Sequence, residues 1–431
     1  MQITISAWGI KRILGAVIFL NISMLIGSAG FHFHYYDYLG GRWENVNYLS
    51  HILLQFSLHA ENTIATWYSS MLLLGVSIMS FFCFHIQFKG AKLKSDKRLS
   101  YGWLFFLAIF ALLSFDEVGS MHERIGSLTV LNPFSDYPLG WIFIFSVPIA
   151  VVGVFMIAFC LKQFKYSTVS AIFAIIGILC YLSLPFQEHI ETTAWHSAEE
   201  RAYWQRPLFN LLLEEGTEIF GTFFMLTATF IFALKGSTVG NTKLLDSSIN
   251  LRLNYPNKKL VFLAVLVFLL LGAISVILQH SSLLQSEADT GIQRNWFPAA
   301  IAFFVFLSSF HLFFKNKTNS KVGRYLWLGI FSVFISAYFG SNIYNLLNWL
   351  FAGLKQNILT FFLILITVAI ALAFILKTPN YTGRIFIAGW CFLLSTVLFY
   401  HGQYAAVLCY VSFSLLVAWF WLNNRQETFR V

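Results

Sequence analysis

Residues 63–87 read TIATWYSSMLLLGVSIMSFFCFHIQ and contain no Asp, Glu, Lys or Arg. A transmembrane α-helix needs about 20 consecutive, mostly apolar residues, so this stretch is long enough to cross a bilayer. It predicts a membrane-spanning helix.

The pattern recurs along the chain and predicts an all-α, polytopic transmembrane helix bundle of about 12 spans. The predicted spans are 10–30, 63–87, 101–122, 139–161, 168–187, 207–234, 260–279, 296–314, 325–347, 357–376, 384–400 and 403–422. Composition agrees, because 58% of the residues are hydrophobic and 11% are charged, whereas soluble domains carry about 25% charged residues. A water-soluble globule of this length could not bury so much apolar surface.

The basic residues predict the orientation. If the N-terminus is cytoplasmic and the spans alternate, only six of the 28 Lys and Arg residues fall in outer segments: Arg42, Arg124, Arg201, Arg206, Arg294 and Lys355. An excess of Lys and Arg marks the cytoplasmic side. We therefore expect both termini in the cytoplasm and a multi-pass protein of a bacterial inner membrane. The long segments 31–62 and 188–206 are expected to be aromatic-rich outer loops.

A polar stretch divides the predicted spans into two sets of six. Residues 236–259, which begin GSTVGNTKLLDSSIN, are predicted to be a cytoplasmic linker. The predicted domains are thus residues 1–235 and 260–431, and nearly all acidic residues near spans belong to the first. The second half is expected to be a scaffold, a lipid contact or a substrate channel.

Two function classes are disfavoured. The net charge of +9 is scattered over short loops, without the basic domain that a nucleic-acid partner requires. All five Cys lie in apolar runs and none has CxxC spacing, so neither a disulfide framework nor a zinc knuckle is expected.

Three polar patches interrupt the apolar pattern at the predicted outer face. Charge in or beside a span is costly and usually functional. The patches are Glu61-Asn62, Asp116-Glu117 with His122-Glu123, and Glu214-Glu215 with Glu218.

Helical periodicity predicts two acidic stripes within these patches. Residues at i, i+4 and i+7 share a helix face. Asp116, Ser120 and Glu123 form one stripe, and Asn210, Glu214, Glu218 and Gly221 form the other.

Clustered carboxylates repel one another unless they protonate or share a cation. Oxygen ligands with an occasional imidazole suit a divalent metal, whose identity stays open. The predicted metal ligands are Asp116, Glu123, Glu214 and Glu218. Glu117 and His122 are the candidate catalytic bases, and Glu61, Asn62 and Glu215 the candidate substrate-binding residues.

Three functions remain open. The first is an integral membrane enzyme with a metal-assisted outer-face site that acts on a lipid or lipid-linked substrate. The second is a proton- or cation-coupled secondary transporter, because intramembrane carboxylates serve as couplers. The third is a non-catalytic scaffold. Membrane lipids are the expected partners, together with a second membrane protein or further copies of this chain, and no nucleic acid is expected.

The motifs AENTIATWYSS (60–70), SFDEVGSMHE (114–123) and LLEEGTEIFG (212–221) resemble a pattern of bacterial multi-pass membrane proteins of uncharacterised function. The resemblance covers roughly the first 220 residues and implies a membrane protein without naming its activity.

Overall fold

The computed structural model describes residues 2–39, 47–58, 60, 63–91, 93–119, 140–163, 167–196, 207–237 and 248–252, with short pieces between 299 and 341. The chain separates into two compact units, Gln2–Pro256 and Asn257–Val431 with Met1. The fold below is that of the first unit. The last six predicted spans and the C-terminus lie outside the described residues apart from those short pieces, so the count of 12 stays a prediction.

The described part of the first unit is helical except for one short ribbon. Its elements are β1 (Gln2–Ser6), α1 (Ala7–His32), a π-helical turn (Phe33–Tyr38), α2 (Tyr48–Leu54), α3 (Ile64–Gly90), α4 (Lys94–Ser100), α5 (Gly102–Gly119), α6 (Gly140–Gln163), α7 (Thr168–His196), α8 (Leu208–Ser237) and β2 (Ser248–Arg252).

Long apolar helices support a membrane protein. In the described residues, five segments are long and apolar enough to cross a bilayer: Gly9–Tyr36, Ile64–Phe88, Lys94–Val118, Thr168–Gln187 and Leu208–Leu234. A shorter apolar segment covers Val147–Gln163. Large apolar side chains stay exposed on these helices, for example Phe19 at 70% and Val154 at 68%. Such a surface suits lipid as solvent.

The six long helices lie where the first six spans were predicted, but two of them extend further. The expectation of loops at 31–62 and 188–206 is wrong in part, because α1 continues through the π-helical turn to Tyr38 and α7 continues to His196. Beyond the apolar part of α1, ring pairs four residues apart stabilise the helix. Phe31 stacks on Tyr35, and His34 stacks on Tyr38, each with ring centroids 5.5 Å apart.

The described part of the first unit agrees with the all-α prediction apart from one two-stranded ribbon of five residues per strand. β1 and β2 pair antiparallel from Gln2 opposite Arg252 to Ser6 opposite Ser248. Pairing satisfies backbone groups that a short polar segment would otherwise leave to water. It also brings the two ends of this unit together, which fits the even number of long helices described between them.

α3 occupies the middle of the unit and packs closely through small side chains. The Ser70 hydroxyl donates to the Ser114 carbonyl over 2.6 Å, and the Ser77 hydroxyl donates to the Leu107 carbonyl over 2.8 Å, which joins α3 to α5. On its other side, Gly75 approaches Leu226 of α8. Small residues and interhelical hydroxyl bonds are the usual means of helix association in membranes.

Candidate functional site

The site is built around the phenol of Tyr181 on α7. The Tyr181 hydroxyl contacts the Thr222 hydroxyl on α8. Thr222 Oγ1 donates its proton to the Glu218 carbonyl over 3.0 Å, so it accepts from Tyr181. The charges of Glu218 and of Glu117 on α5 both act on Tyr181. We call Glu117, Tyr181, Glu218 and Thr222 the Tyr181 cluster.

Helices α7 and α8 cross in close contact at Gly177 and Gly221, and this crossing allows them to bring the cluster together. A Cβ added at Gly177 would lie 2.8 Å from the Gly221 carbonyl oxygen, and one added at Gly221 would lie 2.9 Å from Cys180 Cβ. Only glycine fits both positions, because real Cβ atoms essentially never approach so closely. Tyr181 lies one turn beyond Gly177, and Thr222 follows Gly221 directly, so the crossing sets the separation of the two hydroxyl groups.

Glu117 lies on the face of α5 that is directed towards Tyr181. Phe110, Ser114 and Glu117 have i, i+4, i+7 spacing and therefore share a face. The Phe110 ring lies 6.2 Å from that of Tyr181, and Ser114 faces α3. Glu117 extends the same face into the bundle, whereas Asp116 is rotated by about 100° from it.

The acidic stripe on α8 faces α7 at the same end of the bundle. Gln187 of α7 donates to Thr217 over 3.4 Å, and Gly221 meets Gly177. Glu214 and Glu218 lie in the stripe that these two contacts define. Both carboxylates are half-buried, as is Glu215. The predicted face of α8 is therefore the one that packs against α7.

α1 and α3 hold α8 in place beside Glu218. Asn21 is fully buried and donates to the Ile219 carbonyl over 3.3 Å. Its amide oxygen accepts from the Tyr68 hydroxyl over 2.7 Å. These bonds fix the backbone next to Glu218, because an unpaired amide in a membrane interior would be costly.

The structure brings together some of the predicted site residues. Glu117 and Glu218 come from different helices, and the charge of each acts on Tyr181. The described residues place Asp116, Glu214 and Glu215 at the same end of the bundle and give each an interaction. Glu61, Asn62, His122 and Glu123 lie outside the described residues.

The metal prediction depends on those undescribed residues. Among the residues that the structure describes, no group of three or more His, Cys, Asp or Glu side chains has a metal-binding arrangement. Asp116, Glu214 and Glu218 therefore do not form such a group by themselves. The donor chemistry still fits a hard divalent ion, because all four predicted ligands are carboxylates.

Sequence reasoning missed the neutral members of the site. These side chains carry no charge and lie within apolar runs of the sequence: Tyr181, Thr222, Gln187, Asn21 and Tyr68. Asn21 gave a usable signal, since an amide within a span needs a partner. Ser183 and Gln187 gave another, because their i, i+4 spacing puts two polar groups on one face of α7.

Comparison with known proteins supports the resemblance and leaves the activity open. A family model described as Domain of unknown function (DUF8692) matches residues 41–233. This segment contains all three sequence motifs and the whole Tyr181 cluster, so the chain resembles a family of uncharacterised function over the part that carries the site. No curated protein and no solved structure matches the chain.

Proposed function

We propose that this protein is an integral membrane enzyme that acts on a lipid or lipid-linked substrate at the Tyr181 cluster. One observation carries the proposal: carboxylates from α5 and α8 interact with the same tyrosine of α7 inside a bundle of membrane-length helices. Ionisable groups in this setting are expensive and are kept for function. In the proposed topology the cluster lies towards the outer face of a bacterial inner membrane.

In this proposal the three ionisable groups of the cluster have distinct roles. The Tyr181 hydroxyl donates its hydrogen bond to Thr222, so the phenol oxygen can still accept a hydrogen bond from another group. It can then hold a hydroxyl or a water molecule for attack. Glu117 acts as general base and takes the proton from that nucleophile. Where His122 takes the proton instead, Glu218 stabilises the imidazolium that forms.

Asp116, Glu123, Glu214 and Glu218 would hold the divalent metal in this proposal. When bound, such a metal supplies Lewis-acid polarisation of a phosphoryl or acyl oxygen. Glu61, Asn62 and Glu215 would contact the substrate's polar part.

Apolar side chains next to the acidic residues favour a substrate that arrives through the bilayer. Phe209 is 72% exposed and Leu213 is 48% exposed on the first turns of α8, just before Glu214. Phe186 on α7 is 71% exposed. An acyl chain can lie against these side chains while its head group reaches the carboxylates.

The test uses the full chain in lipid nanodiscs with a panel of head-group-labelled lipids and matched carboxyl-to-amide variants. Glu117→Gln and Glu218→Gln should each reduce product formation by about 100-fold or more, as loss of a general base or of electrostatic stabilisation does. Asp96→Asn is the control, because this exposed carboxylate lies on α4, away from the cluster. The enzyme proposal would be refuted if no lipid of the panel gave a product, or if both variants kept full activity.

Metal analysis accompanies that assay. Elemental analysis of gently purified protein should find about one or two equivalents of one divalent metal. The Glu123→Ala/Glu218→Ala double variant should lose it while keeping its fold. Protein that turns over lipid without any bound metal would overturn the metal part of the proposal and leave the carboxylate mechanism in place.

Proton- or cation-coupled transport is the second candidate. The favouring observation is that the charges of the same two carboxylates act on one tyrosine, since intramembrane acidic groups also serve as proton relays. In that case Glu117→Gln and Glu218→Gln would abolish pH-driven uptake in proteoliposomes and no lipid would be chemically changed. A scaffold would tolerate both substitutions in both assays.

A further inference from the structure

A short basic helix joins α3 to α5 at the end of the bundle away from the Tyr181 cluster. Residues 89–98 contain five Lys or Arg residues and one acidic residue, Asp96. Helix α4 carries three of these five cations, and Tyr101 continues its helical backbone into α5. From residue 101 to Glu117 the helix rises about 24 Å, so this segment is separate from the Tyr181 cluster.

The three cations of α4 share one face of the helix, and all three are exposed. Lys94, Lys97 and Arg98 have i, i+3, i+4 spacing, and Tyr101 adds the i+7 position. Asp96 is rotated by about 200° from Lys94 and therefore lies on the opposite face. A cytoplasmic excess of Lys and Arg follows from topology, but topology does not require them to share a face. We call Lys94, Lys97, Arg98 and Tyr101 the basic stripe.

Aromatic rings of α3 hold the basic stripe in place. Lys97 Nζ lies 5.7 Å from the centroid of the Phe88 ring, within the range of a cation–π contact. The Tyr101 ring packs edge-on against Phe88, with centroids 5.9 Å apart, and lies tilted against Phe84 at 5.7 Å. Phe88 is also the last residue of the membrane-length segment that begins at Ile64. The basic stripe is therefore fixed at the point where an apolar helix ends.

Exposed apolar side chains adjoin these cations. Leu93, which directly precedes α4, is 64% exposed, and Tyr101 is 53% exposed. Such a combination suits the boundary between acyl chains and head groups, where tyrosine is favoured and Lys and Arg extend into the polar layer. In the predicted topology this boundary is the cytoplasmic one. The surface thus offers positive charge and an apolar contact side by side.

We propose that the basic stripe binds the head group of an anionic phospholipid, whose acyl chain lies against Leu93. Charge complementarity selects this ligand, because Lys94, Lys97 and Arg98 carry N–H donors that a phosphate accepts, and the Arg98 guanidinium can donate two at once. A zwitterionic lipid has the same phosphate but also a compensating cation. A head group of net negative charge is therefore preferred, by about fivefold for each Lys or Arg near the membrane surface. This binding is independent of the activity at the Tyr181 cluster.

The test measures the first bound lipid by native mass spectrometry of the full chain in detergent. Phosphatidylglycerol and phosphatidylcholine with identical acyl chains are compared. Lys94→Gln/Lys97→Gln removes two charges from the stripe while keeping helix propensity, and it should lower the preference for phosphatidylglycerol by about tenfold or more. Lys11→Gln/Lys162→Gln is the matched control, because it removes the same charge from exposed lysines of α1 and α6 at the same predicted membrane face. It should change the preference by less than about twofold.

Further arms separate the stripe from net charge and a lipid from a free anion. Arg98→Gln, a single exposed change, should lower the preference by about fivefold. Glycerol phosphate has no acyl chain to contact Leu93, so at equal concentration it should leave phosphatidylglycerol bound. Displacement by glycerol phosphate at that concentration would show an anion site and overturn the lipid assignment. Equal binding of the two lipids by the wild type, or equal loss of preference in both double variants, would overturn the role of the basic stripe.

Discussion

Replacing Gly177 by alanine should force α7 and α8 apart at the point that holds the Tyr181 cluster. The added Cβ would lie 2.8 Å from the Gly221 carbonyl oxygen and 2.8 Å from Met225 Cγ. Ordinary contact begins at 3.4 Å, so a neighbour must retreat by 0.6 Å, the difference between the two distances. Met225 can turn away, but the carbonyl belongs to the backbone of α8. The helices themselves must therefore separate.

Two opposing terms set the size of the effect. Overpacking a well-packed contact costs about 1–3 kcal/mol. Alanine gains about 1 kcal/mol over glycine in helix propensity, at any helical position. Gly15→Ala in α1 receives only the gain, because nothing lies within 4 Å of its Cβ. The difference in unfolding free energy between the two variants should thus be about 1–3 kcal/mol, with Gly177→Ala the less stable.

The assay is reversible denaturation of the full chain in mixed micelles, followed by circular dichroism, with both variants measured beside the wild type. Lipid turnover is measured on the folded variants, since Tyr181 lies one turn from the crossing. Equal stabilities of Gly177→Ala and Gly15→Ala would refute the close approach of α7 and α8, and with it the geometry of the cluster.

Two further predictions concern the helices and the ribbon around the site. Tyr68→Phe should lower the unfolding free energy by about 0.6 kcal/mol, the usual value of an interhelical hydrogen bond in a membrane, because it removes the bond to Asn21; no loss of stability in the same denaturation assay would contradict that bond. Cysteines at Thr4 and Asn250, which face each other across the ribbon, should form a disulfide under mild oxidation that holds the N-terminal and central fragments together after proteolysis between them. A pair at Thr4 and Arg252, two residues out of register, is the control, and equal cross-linking of both pairs would contradict the register.

Apolar run length was enough to predict the six long helices of the first half. A bilayer interior leaves backbone groups no partner except those within the helix, so a run of sufficient length has one stable conformation. The same reasoning failed at the helix ends. Aromatic rings extend α1 to Tyr38 through stacking four residues apart, and a hydropathy pattern does not detect that contribution.

The candidate site was predictable in part. Glu117 and Glu218 stood out because charge in a span is rare and costly. Their common partner Tyr181 did not, because a tyrosine in an apolar run looks like any other aromatic side chain. The predicted stripe on α8 agrees with the face that packs on α7, since Thr217 and Gly221 both contact that helix.

The sequence by itself determined that this is a helical membrane protein and where the helices of its first half lie, and it singled out the carboxylates in or beside spans as candidates for a site. These are properties of single segments, and the bilayer enforces each of them locally through hydrophobic length and backbone satisfaction. Only the tertiary structure decided that the charges of Glu117 and Glu218 both act on Tyr181, and that the Gln187 amide oxygen has no hydrogen-bond partner among the described residues. Those relations depend on which helices touch and at what height they cross. Here the crossing is set by two glycines whose missing side chains carry no signal in a hydropathy profile.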